Sequence, residues 1–264
     1  MDTAQIRVER DGAIGRLSFA RPASLNAITP ILLEEAIQAI DELAVDDSVR
    51  VIVLSGEGRA FCAGVDLKVM SSPGITGDDI ERFNVLARRF TARIEAIAQP
   101  VIARIHGACM TGGLEIALAC DLMIVADEAM FGDTHASLGL YPKWGLSQRL
   151  PRRIGDQRAR ELSYTGRRID GREAAAIGLA LRSVPMAELD AAVDALASSI
   201  ARNSAGAVAA YKALFREAQQ RTLDDGLAFE AAARFKVADR KQRALARAAQ
   251  LNAPKGNPGD SGCN

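Results

Sequence analysis

The stretches VIVLSGEGRAFCAGVDLKVM (residues 51–70) and VIARIHGACMTGGLEIALACD (residues 101–121) share one layout: an apolar run, a turn of small residues, then a helix-forming segment. A short continuous apolar run bounded by turn residues predicts a strand buried on both faces. A helix entered through small residues lets another backbone or a ligand come close, and its first N–H groups lack intrahelical acceptors. Two such turns side by side could aim two N–H groups at one oxygen on which negative charge develops. Tight strand–helix packing also demands small residues, so the turns alone leave both readings open. Neither turn has the spacing G-x-G-x-x-G or G-x-x-x-x-G-K-[ST], which sets aside dinucleotide and P-loop sites.

The surrounding chain alternates in the same way. Gln5–Arg10 and Ala13–Phe19 flank Asp11-Gly12 and predict a hairpin. Helices are predicted over Pro30–Ala44, with Thr29 as N-cap, over Asp78–Ala98, which stops before Pro100, and over Gly112–Cys120. Val49–Leu54, Val101–Ile105 and Leu122–Ala126 are predicted strands. This is the pattern of an α/β core with a largely parallel sheet. From Asp156 onward, apart from a strand at Ala180–Val184, the chain reads as helix: Asp156–Tyr164, Gly171–Ile177, Met186–Arg202, Ser204–Gln220 and Thr222–Gln250. The expected partition is an α/β core over 1–185, a helical region over 186–251, and a disordered Gly-, Pro- and Asn-rich tail over 252–264.

Composition narrows the function classes. Lys plus Arg (33) equals Asp plus Glu (33), so no global field draws the chain to nucleic acid or an anionic membrane. The basic stretch from Ala231 to Gln250 is either a solvated helix face or a local phosphate or partner contact. Cys62, Cys109, Cys120 and Cys263 form no C-x-x-C pair, which argues against a zinc site or a disulfide framework and for a reducing compartment. The opening MDTAQIRVERDG has no apolar signal region, and no run approaches the ~18 apolar residues of a membrane span. A cytoplasmic protein is expected.

Glu115 stands three residues after Gly112 in the otherwise apolar segment LEIALAC. A carboxylate buried there is costly unless it is used, and burial would raise its pKa toward that of a general acid/base at neutral pH. The alternative is a Glu115 that faces solvent or pairs with an arginine. His135, one of two histidines, lies in FGDTHASLGLYPKWG (131–145), two residues after Asp133. In an extended segment both side chains would point to one side, where Asp133 could orient the ring. A His135 that caps the next turn or bonds a carbonyl is the plainer reading. Tyr141 and Trp144 come next, as walls of a pocket or as ordinary packing.

AFCAGVDL, HGACMTGGLEIALACD and FGDTHASLGLYPKWGLSQRL together resemble the crotonase (enoyl-CoA hydratase/isomerase) superfamily. The resemblance begins at RPASLNAI (21–28), continues through ELSYTGRRIDGREA (161–174) and GLALRSVP (178–185), and weakens toward the C-terminus. It implies a crotonase fold: a superhelical core of repeated β-β-α turns with a helical C-terminal region used in trimer assembly, the trimers often pairing into hexamers. It implies an acyl-CoA thioester as partner, with no metal or redox cofactor beyond the substrate's own CoA. The N–H groups of Val65 and Gly112 would hold the thioester oxygen. The Ala63 carbonyl would receive the adenine amino group, and Ser24 and Leu25 would line the CoA channel. Asp66 takes the acidic position at the adenine end, or caps the helix after it. Glu115 matches the first of two catalytic glutamates, and His135 stands where the second is expected. The implied activity is hydration of a 2-enoyl-CoA with Glu115 and His135 as the pair. A double-bond isomerase using Glu115 alone and a non-catalytic acyl-CoA-binding protein are the alternatives.

Overall fold

The computed structural model describes residues 4–252. In chain order its elements are β1 (Ile6–Asp11), β2 (Ile14–Phe19), α1 (Pro30–Val45), β3 (Val51–Gly56), α2 (Leu67–Met70), α3 (Gly77–Ala96), β4 (Val101–Ile105), β5 (Ala108–Met110), α4 (Gly112–Ala119), β6 (Leu122–Ala126) and β7 (Met130–Gly132). Then come α5 (Leu146–Ile154), α6 (Asp156–Thr165), β8 (Ile169–Asp170), α7 (Gly171–Ala176), β9 (Arg182–Val184), α8 (Leu189–Ala201), α9 (Ala205–Ala218), α10 (Leu223–Ala232) and α11 (Arg240–Asn252).

The larger sheet runs β1-β2-β3-β4-β6-β9, antiparallel only at the β1/β2 hairpin. Its central strands β3, β4 and β6 are buried almost throughout, because α8 lies across β2, β3, β4 and β6 while other chain covers the opposite face. A smaller sheet, β5-β7-β8, is built from short runs placed after the central strands. The passes through β4 and β6 each add one strand to the large sheet and then one short strand, β5 or β7, to the small one. The backbone at Cys62 forms a parallel β-bridge with Cys109, and Cys109 pairs in parallel with Phe131, so successive passes stack in register. This is the β-β-α superhelix that the resemblance implies.

Local signals explain the helix ends. The Thr29 hydroxyl accepts from the Leu32 N–H at 3.1 Å and Pro30 occupies the first turn, where its missing N–H costs nothing. Thr76 and Asp79 form a reciprocal capping box at the start of α3. The helix predicted over Thr222–Gln250 is broken in two. α10 ends at Ala232, where Arg234 donates to the carbonyls of Ala231, Ala232 and Ala233, and the chain resumes as helix at Arg240. The basic stretch is thus partly spent on capping. Asp239, its lone acid, accepts from the Ser204 hydroxyl and pairs with Arg243. The short strands β5, β7 and β8 leave no periodicity in the sequence, since two or three residues carry no alternation. The tail expected to be disordered lies, beyond Asn252, outside the described residues. None of the described helices is long and apolar enough to cross a membrane.

α9 is fastened to the core by a buried cation. The Lys212 ammonium donates to the Ile94 carbonyl (2.8 Å) and the Gln99 carbonyl (2.9 Å) and meets Asp121 at 2.8 Å. Ile94 lies in the last turn of α3 and Gln99 just before β4, so one side chain ties three elements. Lys212→Ala leaves both carbonyls unpaired, and a loss of about 2–3 kcal/mol is expected in equilibrium urea unfolding. A variant within about 0.5 kcal/mol of the parent would show that the ammonium contributes nothing net.

Candidate active site

The stacking of Cys62 on Cys109 brings the turn after one cysteine against the turn after the other. After Cys62 come Ala63, Gly64 and Val65; after Cys109 come Met110, Thr111 and Gly112. Gly64 has φ +97°, and a Cβ built on it would lie 3.2 Å from the Met110 carbonyl oxygen and 3.7 Å from the Gly112 nitrogen. The two turns therefore touch. Gly113 is equally constrained, since a Cβ there would meet the Cys62 carbonyl at 2.7 Å. The neighbours of Val65 are engaged: Ile28 N–H donates to the Gly64 carbonyl at 2.8 Å and Asp66 N–H to the Ile28 carbonyl at 2.9 Å. Neither the Val65 N–H nor the Gly112 N–H has an acceptor among the described residues. Gly112 opens α4, and no side chain caps that helix. Adjacent turns that each present a main-chain donor can hold one developing oxyanion.

Glu115, one turn into α4, is 1 % exposed. Its Oε1 accepts from the Trp144 N–H at 2.9 Å and the Leu146 N–H at 3.1 Å. Its Oε2 lies 3.7 Å from His135 Nε2. Burial raises the Glu115 carboxyl above its ordinary 4.5, the two backbone donors and His135 oppose that rise, and Asp133 adds to it. The solvent-facing alternative for Glu115 is thereby removed.

His135 is 9 % exposed, and Asp133 holds it from the other side. The Asp133 Oδ1 accepts from the ring Nδ1 at 2.6 Å and from the His135 N–H at 3.1 Å. Burial pushes the Asp133 carboxyl up, but hydrogen bonds from the His135 ring, the Ser163 side chain and the His135 N–H hold it below the ordinary carboxylate value. An ionised carboxylate only accepts, so Nδ1 carries the proton and Nε2 faces Glu115 with a lone pair whenever the ring is neutral. The two residues meet, though not in the way an extended segment would bring them together. His135 has φ −55° and ψ −51°, at the head of a short turn over Ala136–Leu138. Asp133 reaches forward into that turn, as Asx residues do.

Trp144 is buried and spends both of its N–H groups. The backbone N–H goes to Glu115, and the indole Nε1 donates to Asn84 Oδ1 of α3 at 2.9 Å. Its ring meets Phe83 edge-on at 5.4 Å and would lie 2.6 Å from a Cβ on Gly112. Tyr141, by contrast, is 69 % exposed beneath the Lys143 ammonium.

The proposed CoA segments lie together. Leu25 and Asn26 have φ of +52° and +57°, and the Ala63 N–H donates to the Leu25 carbonyl at 3.0 Å. Asn26 is fully buried: its Oδ1 accepts from Arg21 N–H, and its Nδ2 donates to the Glu57 and Ala60 carbonyls at 2.9 and 2.7 Å. Ser24 ends a short helical turn beside them. Asp66 caps α2 through the Val69 N–H (3.3 Å) and pairs with Arg21 at 3.0 Å. Asn26, Asn84 and Ser163 were missed by sequence reasoning. Only Asn26 left a trace, as a residue type that tolerates left-handed backbone. The other histidine, His106, is structural: Arg104 donates to its Nδ1 and its Nε2 donates to the Gly58 carbonyl, each at 2.8 Å.

A family model for enoyl-CoA hydratase/isomerase matches residues 9–251. The chain belongs to this family. A probable enoyl-CoA hydratase of Mycobacterium tuberculosis is 36% identical over 229 residues, covering 85% of this chain and 86% of that protein. The structure of an enoyl-CoA hydratase from Bacillus anthracis aligns with a TM-score of 0.87 at 34% identity, over 93% of this chain and 96% of that one. A putative enoyl-CoA hydratase from Thermobifida fusca, solved in complex with CoA, aligns with a TM-score of 0.78 at 31% identity, over 94% of both chains.

The raised Glu115 pKa has a stability consequence. The unfolded chain releases this proton at lower pH than the folded one does. The protonated form's contribution is therefore fully present below the ordinary 4.5 and is lost as pH climbs through the higher folded value. Glu115→Gln keeps an acceptor for both N–H donors and cannot ionise. Its Tm should equal or exceed the parent's, with the gap widening from about pH 5 to about pH 8. A gap that stays flat or narrows over that range would mean that the folded carboxyl titrates at or below its ordinary value.

Proposed function

We propose that the protein hydrates a 2-enoyl-CoA thioester to the 3-hydroxyacyl-CoA, with Glu115 and His135 as the acid/base pair. The observation that carries this reading is the 3.7 Å approach of Glu115 Oε2 to His135 Nε2 beside the two glycine turns. Hydration must deliver a hydroxyl to Cβ and a proton to Cα of the same double bond, which calls for two adjacent proton-transfer groups. An isomerase that works with Glu115 alone has no use for a buried histidine held by its own carboxylate.

The roles come from protonation. His135 Nε2, unprotonated in the neutral ring, takes a proton from water as the water oxygen bonds to Cβ. The π electrons move toward the thioester, and the oxygen charge is met by the N–H groups of Val65 and Gly112. One such donor is typically worth about 3–4 kcal/mol to a transition state. Glu115, favoured in its acid form by burial, gives its proton to Cα. The imidazolium then returns a proton to Glu115 Oε2 across the short gap between them, which resets the pair. Asp133 supports the imidazolium while it exists. All proton transfers run through the chain's own residues and water, so the reading assigns no cofactor beyond the CoA of the substrate. Ser24, Leu25 and Ala63 take the nucleotide side of that CoA. Trp144 walls the acyl slot, with Tyr141 at its rim. The buried free thiols of Cys62, Cys109 and Cys120 fit a reducing cytoplasm.

Purified protein should remove the enoyl absorbance of crotonyl-CoA. His135→Ala should lower kcat by at least ~10²-fold, and Glu115→Gln should abolish turnover with acyl-CoA affinity kept within a few-fold. A His135→Ala enzyme that loses hydration yet still exchanges the α-proton with solvent deuterium would support the assignment of Glu115 to Cα. Parental hydration by that variant would remove His135 from the mechanism.

The reading includes a homotrimer, or a hexamer of paired trimers. It is supported by the exposed Tyr211, Phe215, Leu223 and Leu227 on α9 and α10, apolar surface that a single chain leaves to solvent. Light scattering at micromolar concentration should return the mass of a trimer or a hexamer, and a clean monomer would refute it.

A further inference from the structure

We propose that the hydroxyls of Thr111 and Thr134 form a positioning pair that fixes the oxyanion turn against the segment carrying Asp133 and His135. The inference rests on the roles given above to Gly112, Glu115 and His135. Thr111 has φ +48° and ψ −106°, a conformation in which a β-branched residue is strained. Glycine would accept it freely, and glycines occupy the next two positions. The strain therefore asks what the side chain obtains. It does not cap α4, although Thr111 stands at the N-cap position. Instead its Oγ1 lies 2.5 Å from Thr134 Oγ1, and the Thr134 N–H donates to it at 3.3 Å.

Strand pairing explains the arrangement. β5 and β7 run parallel and end at Met110 and Gly132, and the Thr111 N–H continues their ladder by donating to the Gly132 carbonyl at 2.8 Å. In a parallel ladder the next bond would run from the Thr134 N–H to the Thr111 carbonyl. That carbonyl has turned away into α4, where the Glu115 N–H takes it at 2.9 Å. The Thr111 hydroxyl stands in for it. The ladder thus gains one rung just where the two chains part, one toward the oxyanion turn and Glu115, the other toward His135. Thr111 immediately precedes Gly112, and Thr134 lies between Asp133 and His135. The pair sets the separation of the proposed oxyanion donor and acid from the proposed base. Neither hydroxyl is given a role in the chemistry itself.

The test uses the full chain with the variants Thr111→Gly, Thr134→Val, their double, and the rescues Thr111→Ser and Thr134→Ser. Each hydroxyl-deleting variant should lower kcat for crotonyl-CoA hydration roughly 10- to 100-fold with KM within about three-fold, as small misplacements of reacting groups do. Thr111→Gly should keep Tm within a few degrees of the parent, because relief of strain offsets the lost bonds. Each serine variant should return to within about three-fold of the parent kcat, and the double should be no worse than the worse single, since both remove one interaction. In ¹⁵N-labelled protein the His135 Nδ1–H resonance should shift in Thr111→Gly and Thr134→Val while His106, the other histidine, stays in place. Parental kcat in both variants, losses that multiply in the double, or losses that serine does not restore would overturn the proposal. If the parent fails to hydrate crotonyl-CoA, the functional reading fails on its own. The His135 resonance then decides the coupling, and an unmoved signal in both variants overturns it.

Discussion

Everything at the candidate site depends on the pairing of Cys62 with Cys109, where one pass of the superhelix lies in register on the next. Each pass ends in a glycine turn just after this seam, so register in the small sheet becomes alignment of the two turns. A slip of one residue would turn every side chain of that short run to the other face. It would also carry the Val65 N–H away from the Gly112 N–H. In the proposed function, the placing of the donors is a property of strand pairing before it is a property of side chains. Main-chain donors need only the correct backbone path, so Val at position 65 is no obstacle to the proposed role. The same logic explains where substitution is forbidden. Gly64 and Gly113 lie where a Cβ would press on the neighbouring pass.

Two carboxylates flank one imidazole, and the structure pushes their proton affinities in opposite directions. Glu115 is driven up by burial in the apolar face of α4. Asp133, buried as well, is held down by the hydrogen bonds it accepts from His135 and Ser163. One side of the ring therefore meets a group that readily holds a proton, and the other a group that does not. Groups whose environments separate them in this way can divide acid and base work without a change of residue type. As the proposed acid/base partner of Glu115, a histidine brings a requirement of its own. A carboxylate there would need no partner to fix a tautomer, whereas imidazole does, and Asp133 is placed to supply it.

The large sheet, the helices over its first half and the location of Glu115 were legible in the sequence, because each is written in periodicity, caps or a charge in an apolar run. Val101–Ile105 and Leu122–Ala126 match their predicted bounds for this reason. The small sheet was not legible, since its strands are held by long-range pairing that no window of residues encodes. The break between α10 and α11 was missed because the stretch has no Pro or Gly at the break, and the helix stops on contacts made by Arg234 and Asp239. At the site, the residue types were visible and the geometry was not. Asp133 and His135 meet, but a turn and not an extended strand brings them together. Thr111, Thr134 and Asn84 were silent because a hydroxyl or amide becomes informative only when its partner is known.

The seam also carries two thiols. Cys62 and Cys109 face each other across it, wholly buried, and burial pushes the Cys62 thiol up to about 12 and Cys109 well above its ordinary value. At neutral pH neither has the thiolate that alkylating reagents attack. Their reactivity therefore tracks the opening of this part of the fold and not its surface chemistry. The two sulfurs act as a clock for local unfolding, placed where the glycine turns meet. A local opening at the seam would be recorded there as a thiol that has begun to react.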